Sequence, residues 1–206
     1  MHVIKAHSTS QPPGRMPLVP ALEVVRDLRR DEIVITTMGA AREWPKLSRH
    51  ALDFHYIPSA MGQAPLIALG LALAQPGREV ICFNGDGCML MNLGALVTIA
   101  ASGATNLTLI VLNNGLYEVT GGQRTAAATC STDFARLAVA SGISSVRAFG
   151  DLDLWRQGAA ETMALAGPRF VVLGVEAVGA DYRLQAPGPM ADRMQTFQRA
   201  LSEPTS

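Results

Sequence analysis

This chain of 206 residues is short of charge, of aromatic rings and of cysteine, and each shortage closes off a class of explanation. Charged residues make up only 17%, and Lys plus Arg and Asp plus Glu stand at 17 each, so the formal net charge is zero. That balance offers no basic stripe to a nucleic acid and no cationic face to an anionic membrane. The cysteines Cys82, Cys88 and Cys130 are odd in number and match no zinc spacing, so reduced thiols in a cytoplasmic protein are the expectation. The most apolar stretch, Ala64 to Ala74, is too short to cross a hydrocarbon layer of about 30 Å. The first twenty residues carry His2, Lys5, His7, Arg15 and four prolines, without the apolar centre of a signal peptide.

What is there is apolar and punctuated. Hydrophobic residues reach 49%, which fits one compact domain with a buried sheet, or one that buries further surface against partners. Residues 1–17, rich in Ser, Pro and Gly, are expected as a flexible arm, residues 18–178 as one domain and residues 179–206 as a tail suited to lie across a partner. Within the domain, helical and strand patterns alternate. Leu22, Val25 and Leu28 mark an amphipathic helix; EIVITT at 32–37 is a strand buried on both faces, followed by a turn at Met38–Ala41. An Ala-rich helix over 64–74 ends at Gln75-Pro76-Gly77. Strands follow over 79–83, 107–112, 145–149 and 170–175, separated by helices over 92–102, 133–141 and 152–166. Such alternation predicts a doubly wound parallel α/β sheet with helices on both faces.

Folds of that kind bind ligands at the carboxyl ends of their strands. Two ends stand out: Gly85-Asp86-Gly87 after EVICF, and Asn113-Asn114-Gly115 after LTLIVL. Residues 88–112 between them hold one helix and one strand, so the two loops can lie on neighbouring strands. Asp86 offers a hard anionic oxygen and Asn114 an amide oxygen, a donor set that suits Mg2+ sharing its shell with a diphosphate. Glycines let backbone N–H groups approach phosphate oxygens. Each motif alone is also ordinary turn chemistry; the pair, at strand ends and in this spacing, is what points to a site.

Those residues, with TTMGAAREW, PSAMGQAPLIALGLALAQPGREV, NGDGCMLMNLGALVTIA and VLNNGLYEVTGGQRT, resemble the cofactor-binding part of the thiamine diphosphate-dependent decarboxylases, of the sulfopyruvate and phosphonopyruvate type, over residues 32–145. The resemblance implies thiamine diphosphate and Mg2+ as cofactors. It places Asp86, the Asn114 side chain and the Leu116 carbonyl on the metal, and Gly85, Gly87 and Cys88 along the diphosphate. Thr37 and Gly39 fall on its far side. Ser59 and Met61 hold the pyrimidine, with Met61 as the apolar prop that bends the cofactor. Cys88 departs from the Ser or Ala frequent at its position, so a hydroxyl-type bond to phosphate is not expected there.

The resemblance also implies a pyrimidine-side (alpha) partner subunit bearing the glutamate that protonates the ring, an alpha/beta hetero-oligomer, and a small 2-oxo acid substrate. Glu23 and Glu43 are on the wrong side to replace that glutamate. A thiamine-dependent carboligase and a non-catalytic cofactor-binding subunit stay open as alternatives. So do roles for His50, His55, Thr120, Gln123 and Arg124 toward substrate, set against surface or structural roles, and Arg42-Glu43 is either a family feature or a solvated helix start.

Overall fold

The structure, a computed structural model, describes residues 14–179 and 185–203. Most of the expected arm, residues 1–13, lies outside the described residues, as do 180–184 and 204–206 of the tail. Six strands form one parallel sheet: β1 (Ile33–Thr36), β2 (Asp53–His55), β3 (Val80–Gly85), β4 (Leu107–Asn113), β7 (Ser145–Phe149) and β8 (Arg169–Gly174), in the order β2-β1-β3-β4-β8-β7. Two further short strands, β5 (Leu116–Tyr117) and β6 (Gln123–Arg124), make an antiparallel hairpin outside it.

Each central strand is apolar on both sides because both of its sides are covered. Ile33, Ile35, Cys82, Leu109, Val111, Phe170 and Val172 meet one layer of helices: α3 (Ala64–Ala74), α5 (Gly94–Ala101), α7 (Phe134–Ala140) and α9 (Met190–Ser202). Val34, Ile81, Phe83, Ile110, Leu112, Val171 and Leu173 meet the other: α1 (Leu18–Leu28), α2 (Met38–Leu47) and α8 (Leu152–Met163). Two short helices, α4 (Asp86–Met91) and α6 (Ala126–Cys130), sit at the strand ends. The doubly wound α/β fold expected from the alternation is the one observed.

Two tryptophans tie the second layer together. Trp155 is fully buried and its Nε1 donates to the Ala21 carbonyl at 3.0 Å, joining α8 to α1. Trp44 donates to Asp53 Oδ1 at 2.9 Å, and the same carboxylate receives Arg29 Nη1 at 2.5 Å and Ser48 Oγ at 2.6 Å. A buried charge needs such partners.

Four features differ from the sequence expectation. Met38–Ala41 is not a turn but the start of α2, which buries Ala40, Ala41 and Trp44 and carries Pro45 in its last turn, without a backbone N–H to offer the Ala41 carbonyl. The edge strand β2 is three residues long, too short to show a period. The last residues of the expected arm are packed: Met16 is 2% exposed and its N–H donates to the Gly174 carbonyl at 2.9 Å. The tail does not leave the domain either. Phe197 of α9 stacks on Phe54 at 5.3 Å, and Arg78 donates to the carbonyls of Ala200, Leu201 and Glu203, holding the helix on its own sheet.

Candidate cofactor and metal site

A cleft of about 510 Å³, its open mouth included, lies at the carboxyl ends of β1, β3 and β4. The strand order reverses between β1 and β3, so the chain departs in opposite directions on either side and leaves a crevice there. Thr37, Met38 and Gly39 line it after β1, Gly85 to Cys88 after β3, and Leu116 to Thr120 after β4; Met61 closes one side. Thr37 Oγ1 donates to the Phe83 carbonyl at 3.1 Å, fastening the two strand ends across the reversal. Met38 sits there with φ of 48°, a left-handed conformation that costs a non-glycine residue about 1 kcal/mol or more and clusters at functional sites.

Asp86 is the centre of the arrangement. It opens α4 directly after β3 and is 1% exposed. Its Oδ2 accepts the Gly115 N–H at 3.1 Å and the Thr125 hydroxyl at 3.2 Å, so the loop after β3 is bonded to the loop after β4. Burial pushes its carboxyl up to about 6, while the N–H groups of Gly87 and Gly115 and the Thr125 hydroxyl pull the other way. A buried acid in that condition lacks a counter-charge, and a cation at its free edge would restore the ionised form.

The donor set says which cation fits. Among the described residues no cluster of three or more His, Cys, Asp or Glu side chains exists to hold a metal. Neutral oxygens must therefore complete any shell around Asp86. Asn114 is 8% exposed, and its Oδ1 accepts the Leu116 N–H at 2.8 Å, which orients the amide and turns the chain. Gly115 adopts φ of 78°, and a Cβ on it would lie 3.1 Å from Ala128 Cβ, so the turn needs glycine. One carboxylate, one amide oxygen and one carbonyl suit Mg2+ with the remaining positions taken by phosphate oxygens and water.

Gly87 is the other cradle. A Cβ there would fall 2.5 Å from Tyr117 Cε1, so only glycine lets the ring lie against the backbone. Cys88 is buried beside it, and burial raises its thiol to about 11, keeping it neutral. Thr37, Gly39, Met61, Gly85, Asp86, Gly87, Cys88 and Leu116 thus line one cleft. Asn114 and Ser59 are not among the residues lining it: Asn114 directly precedes the Gly115 turn beside Asp86, and Ser59 lies two residues before Met61.

Among the lining residues that the sequence reading did not name as site candidates, Tyr117 and Glu118 matter most to the cleft's chemistry. Glu118 Oε1 accepts the Val178 N–H at 2.5 Å, and its Oε2 would be 3.5 Å from a Cβ on Gly39, so the carboxylate rests over the start of α2. Their one sequence signal is an aromatic and an acid placed directly after the Asn-Asn-Gly turn. The other candidates fall elsewhere or face away. His50 is exposed and accepts the Leu52 N–H on a turn. His55 is buried in β2 against Thr36 Oγ1 at 2.9 Å, and burial lowers its pKa. Thr120 lines the cleft, whereas Gln123 and Arg124 are exposed and bond within their own loop, to the carbonyls of Thr120 and Ala128. Glu43 is buried in α2 between Arg42 and Lys46, and Glu23 pairs with Arg26 on α1.

Comparison with known proteins gives the family. Residues 34–175 match the family described as "Thiamine pyrophosphate enzyme, C-terminal TPP binding domain". A phosphonopyruvate decarboxylase of Streptomyces viridochromogenes is 38% identical over 79% of this chain, which spans 42% of that protein. The sulfopyruvate decarboxylase subunit beta of Methanothermobacter thermautotrophicus is 35% identical, again over 79% of this chain but over 84% of the relative. A solved Mycobacterium smegmatis protein, proposed to be a thiamin diphosphate-dependent enzyme, superposes with a TM-score of 0.66 at 21% identity, over 85% of this chain and 35% of that one, a likeness of fold.

Proposed function

Since the chain belongs to the thiamine pyrophosphate enzymes through their C-terminal cofactor-binding domain, we propose that it is the diphosphate- and Mg2+-binding subunit of a 2-oxo acid decarboxylase. When bound, thiamine diphosphate supplies the electron sink for loss of carbon dioxide. This chain's residues bind and orient it. Asp86, the Asn114 amide oxygen and the Leu116 carbonyl would hold the metal, the backbone around Gly87 and Gly39 would face the diphosphate, and Met61 would be the apolar support that orients the cofactor. The single observation that carries the reading is the Asp86–Gly115 bond, which unites the two motifs at the sheet's reversal point.

The cleft is half a site. The carboxylates that line it among the described residues, Asp86 and Glu118, are both engaged by main-chain donors, and Glu118 rests at the Gly39 end. On this reading the glutamate that addresses the pyrimidine is assigned to an alpha partner, in an alpha/beta hetero-oligomer, an assignment supported by the likeness to a sulfopyruvate decarboxylase subunit beta. Consistent with this, Leu73 at 54% exposure, Met91 at 55% and Val97 at 58% are large apolar side chains left uncovered on α3, α4 and α5. The substrate class proposed is a 3-substituted pyruvate such as sulfopyruvate or phosphonopyruvate. A cytoplasmic setting suits the three free cysteines, and no helix among the described residues is long and apolar enough to cross a membrane.

The test is to purify the chain alone and together with a pyrimidine-side subunit, with thiamine diphosphate and Mg2+. Carbon dioxide release from both substrates is then measured. Release is expected only from the pair. Turnover of either acid by the homogeneous chain alone would overturn the split-site reading.

A further inference from the structure

The segment that carries Met61 is held from a distance. On the first turn of α9, Arg193 Nη1 donates to the His55 carbonyl at 2.5 Å, Nη2 donates to the Ile57 carbonyl, and Nε donates to the Gly188 carbonyl at 3.2 Å. His55 ends β2, the outermost strand, which has a neighbour on one side only. The planar fork of a guanidinium meets the two carbonyls with N–H groups held at a fixed spacing, which the single, freely rotating ammonium of a lysine does not provide. At the far end of the same segment, Asn92 Nδ2 donates to the Gly62 carbonyl at 3.2 Å; Gly62 has φ of 84°, and a Cβ on it would meet Asn92 and Met91 at 3.1 Å, so glycine is required there. Between these anchors the Ala60 N–H donates to the Tyr56 hydroxyl at 3.3 Å. Residues 58–61 are thus slung between α9 on one side and the end of α4 on the other.

Docking of α9 does not depend on this contact. Phe197 stacks on Phe54, and Arg78 holds the last turn through three carbonyls. The Arg193 fork is an addition, and what it fixes is the chain leading into the cleft.

We propose that Arg193 is a positioning residue: by clamping the carbonyls of His55 and Ile57 it sets where Met61 stands in the cleft, and so the shape in which the cofactor is held. The proposal rests on the reading of Met61 given above. Misplacement of a supporting group by about 1 Å can cost on the order of a hundredfold in rate, with little effect on binding elsewhere.

Four variants of the chain, assembled with the pyrimidine-side partner, separate the roles: Arg193→Ala, Arg193→Lys, Phe197→Leu and Met61→Ala. Three quantities are read for each: affinity for inorganic pyrophosphate with Mg2+, turnover of sulfopyruvate and phosphonopyruvate, and near-ultraviolet circular dichroism of the bound cofactor. Arg193→Ala is expected to lower kcat at least tenfold and to change the dichroism as Met61→Ala does, with pyrophosphate affinity kept within twofold. Arg193→Lys, which keeps the charge and donors but not the rigid fork, should fall between. Phe197→Leu loosens α9 without touching the segment, and should keep kcat and the dichroism while lowering thermal stability. Loss of turnover in Phe197→Leu in step with Arg193→Ala would reduce Arg193 to helix docking. Lowered turnover in Met61→Ala beside full turnover in Arg193→Ala would remove the clamp alone. Full turnover in Met61→Ala would remove the reading of Met61 beneath it.

Discussion

Asp86→Asn should act in opposite directions on the empty and the loaded chain. Asparagine keeps the shape and can still accept from the Gly115 N–H and the Thr125 hydroxyl, but it cannot ionise. In the native chain burial raises this carboxyl from 3.8 to about 6, which corresponds to about 3 kcal/mol of linkage. The folded state prefers the protonated acid. Its contribution is therefore fully present below pH 3.8, is lost as pH rises to 6, and stays lost above. The variant escapes that loss. One amide hydrogen must face donors, a pH-independent cost of roughly 1 kcal/mol.

The diagnostic is thus the change with pH. The stability gap between variant and native chain, without Mg2+, should widen by about 2–2.5 kcal/mol from pH 4 to pH 8. In a chain of this size that is roughly 5–10 °C in melting temperature. Denaturation of both proteins at each pH, without metal or cofactor, measures it. With thiamine diphosphate and Mg2+ the gap narrows: the native chain gains stability, and the variant binds at least tenfold more weakly, about 1.4 kcal/mol. A gap that does not move with pH would refute the buried-acid argument. Undiminished cofactor binding would refute the metal assignment.

Met61→Ala should leave pyrophosphate affinity nearly unchanged and lower turnover at least tenfold, about 1.4 kcal/mol in the barrier, as read from steady-state kinetics of the assembled enzyme. Val97→Lys alters a side chain 58% exposed, so the melting temperature of the isolated chain should stay within about 0.5 kcal/mol equivalent. Association with the pyrimidine-side subunit should nonetheless weaken tenfold or more, seen by calorimetry or sizing, and unchanged association would put the interface elsewhere.

The central strands were legible because they are apolar, β-branched-rich runs bounded by glycine, proline and asparagine and buried on both faces; the three-residue edge strand β2 was not. Helix α2 was hidden by its own composition: Met38-Gly39-Ala40-Ala41 offers no capping side chain, and Pro45 argues against a helix. The metal-side residues could be named from spacing, since Asp86 and Asn114 end neighbouring strands. Tyr117 against Gly87 and Glu118 over Gly39 could not, because each contact joins residues far apart in sequence and leaves no local pattern. The same holds for α9. Of its residues only Phe197 and Ala200 are buried, and nothing local says that they meet Phe54 and Arg78.

The place of β8 between β4 and β7 has a consequence for synthesis on the ribosome. Strands β2, β1, β3 and β4 can pair once residue 113 has emerged, and the Asp86–Gly115 link can follow at once. The outer edge of β4, a run buried along its whole length in the finished fold, then has no strand beside it until residue 174. At about 5–20 residues per second that interval lasts roughly 3–12 s. For those seconds the nascent chain presents Leu-Thr-Leu-Ile-Val-Leu as an unpaired apolar edge, the kind of surface on which neighbouring chains aggregate. Finishing this domain therefore depends on the timely arrival of a strand that contributes nothing to the metal site.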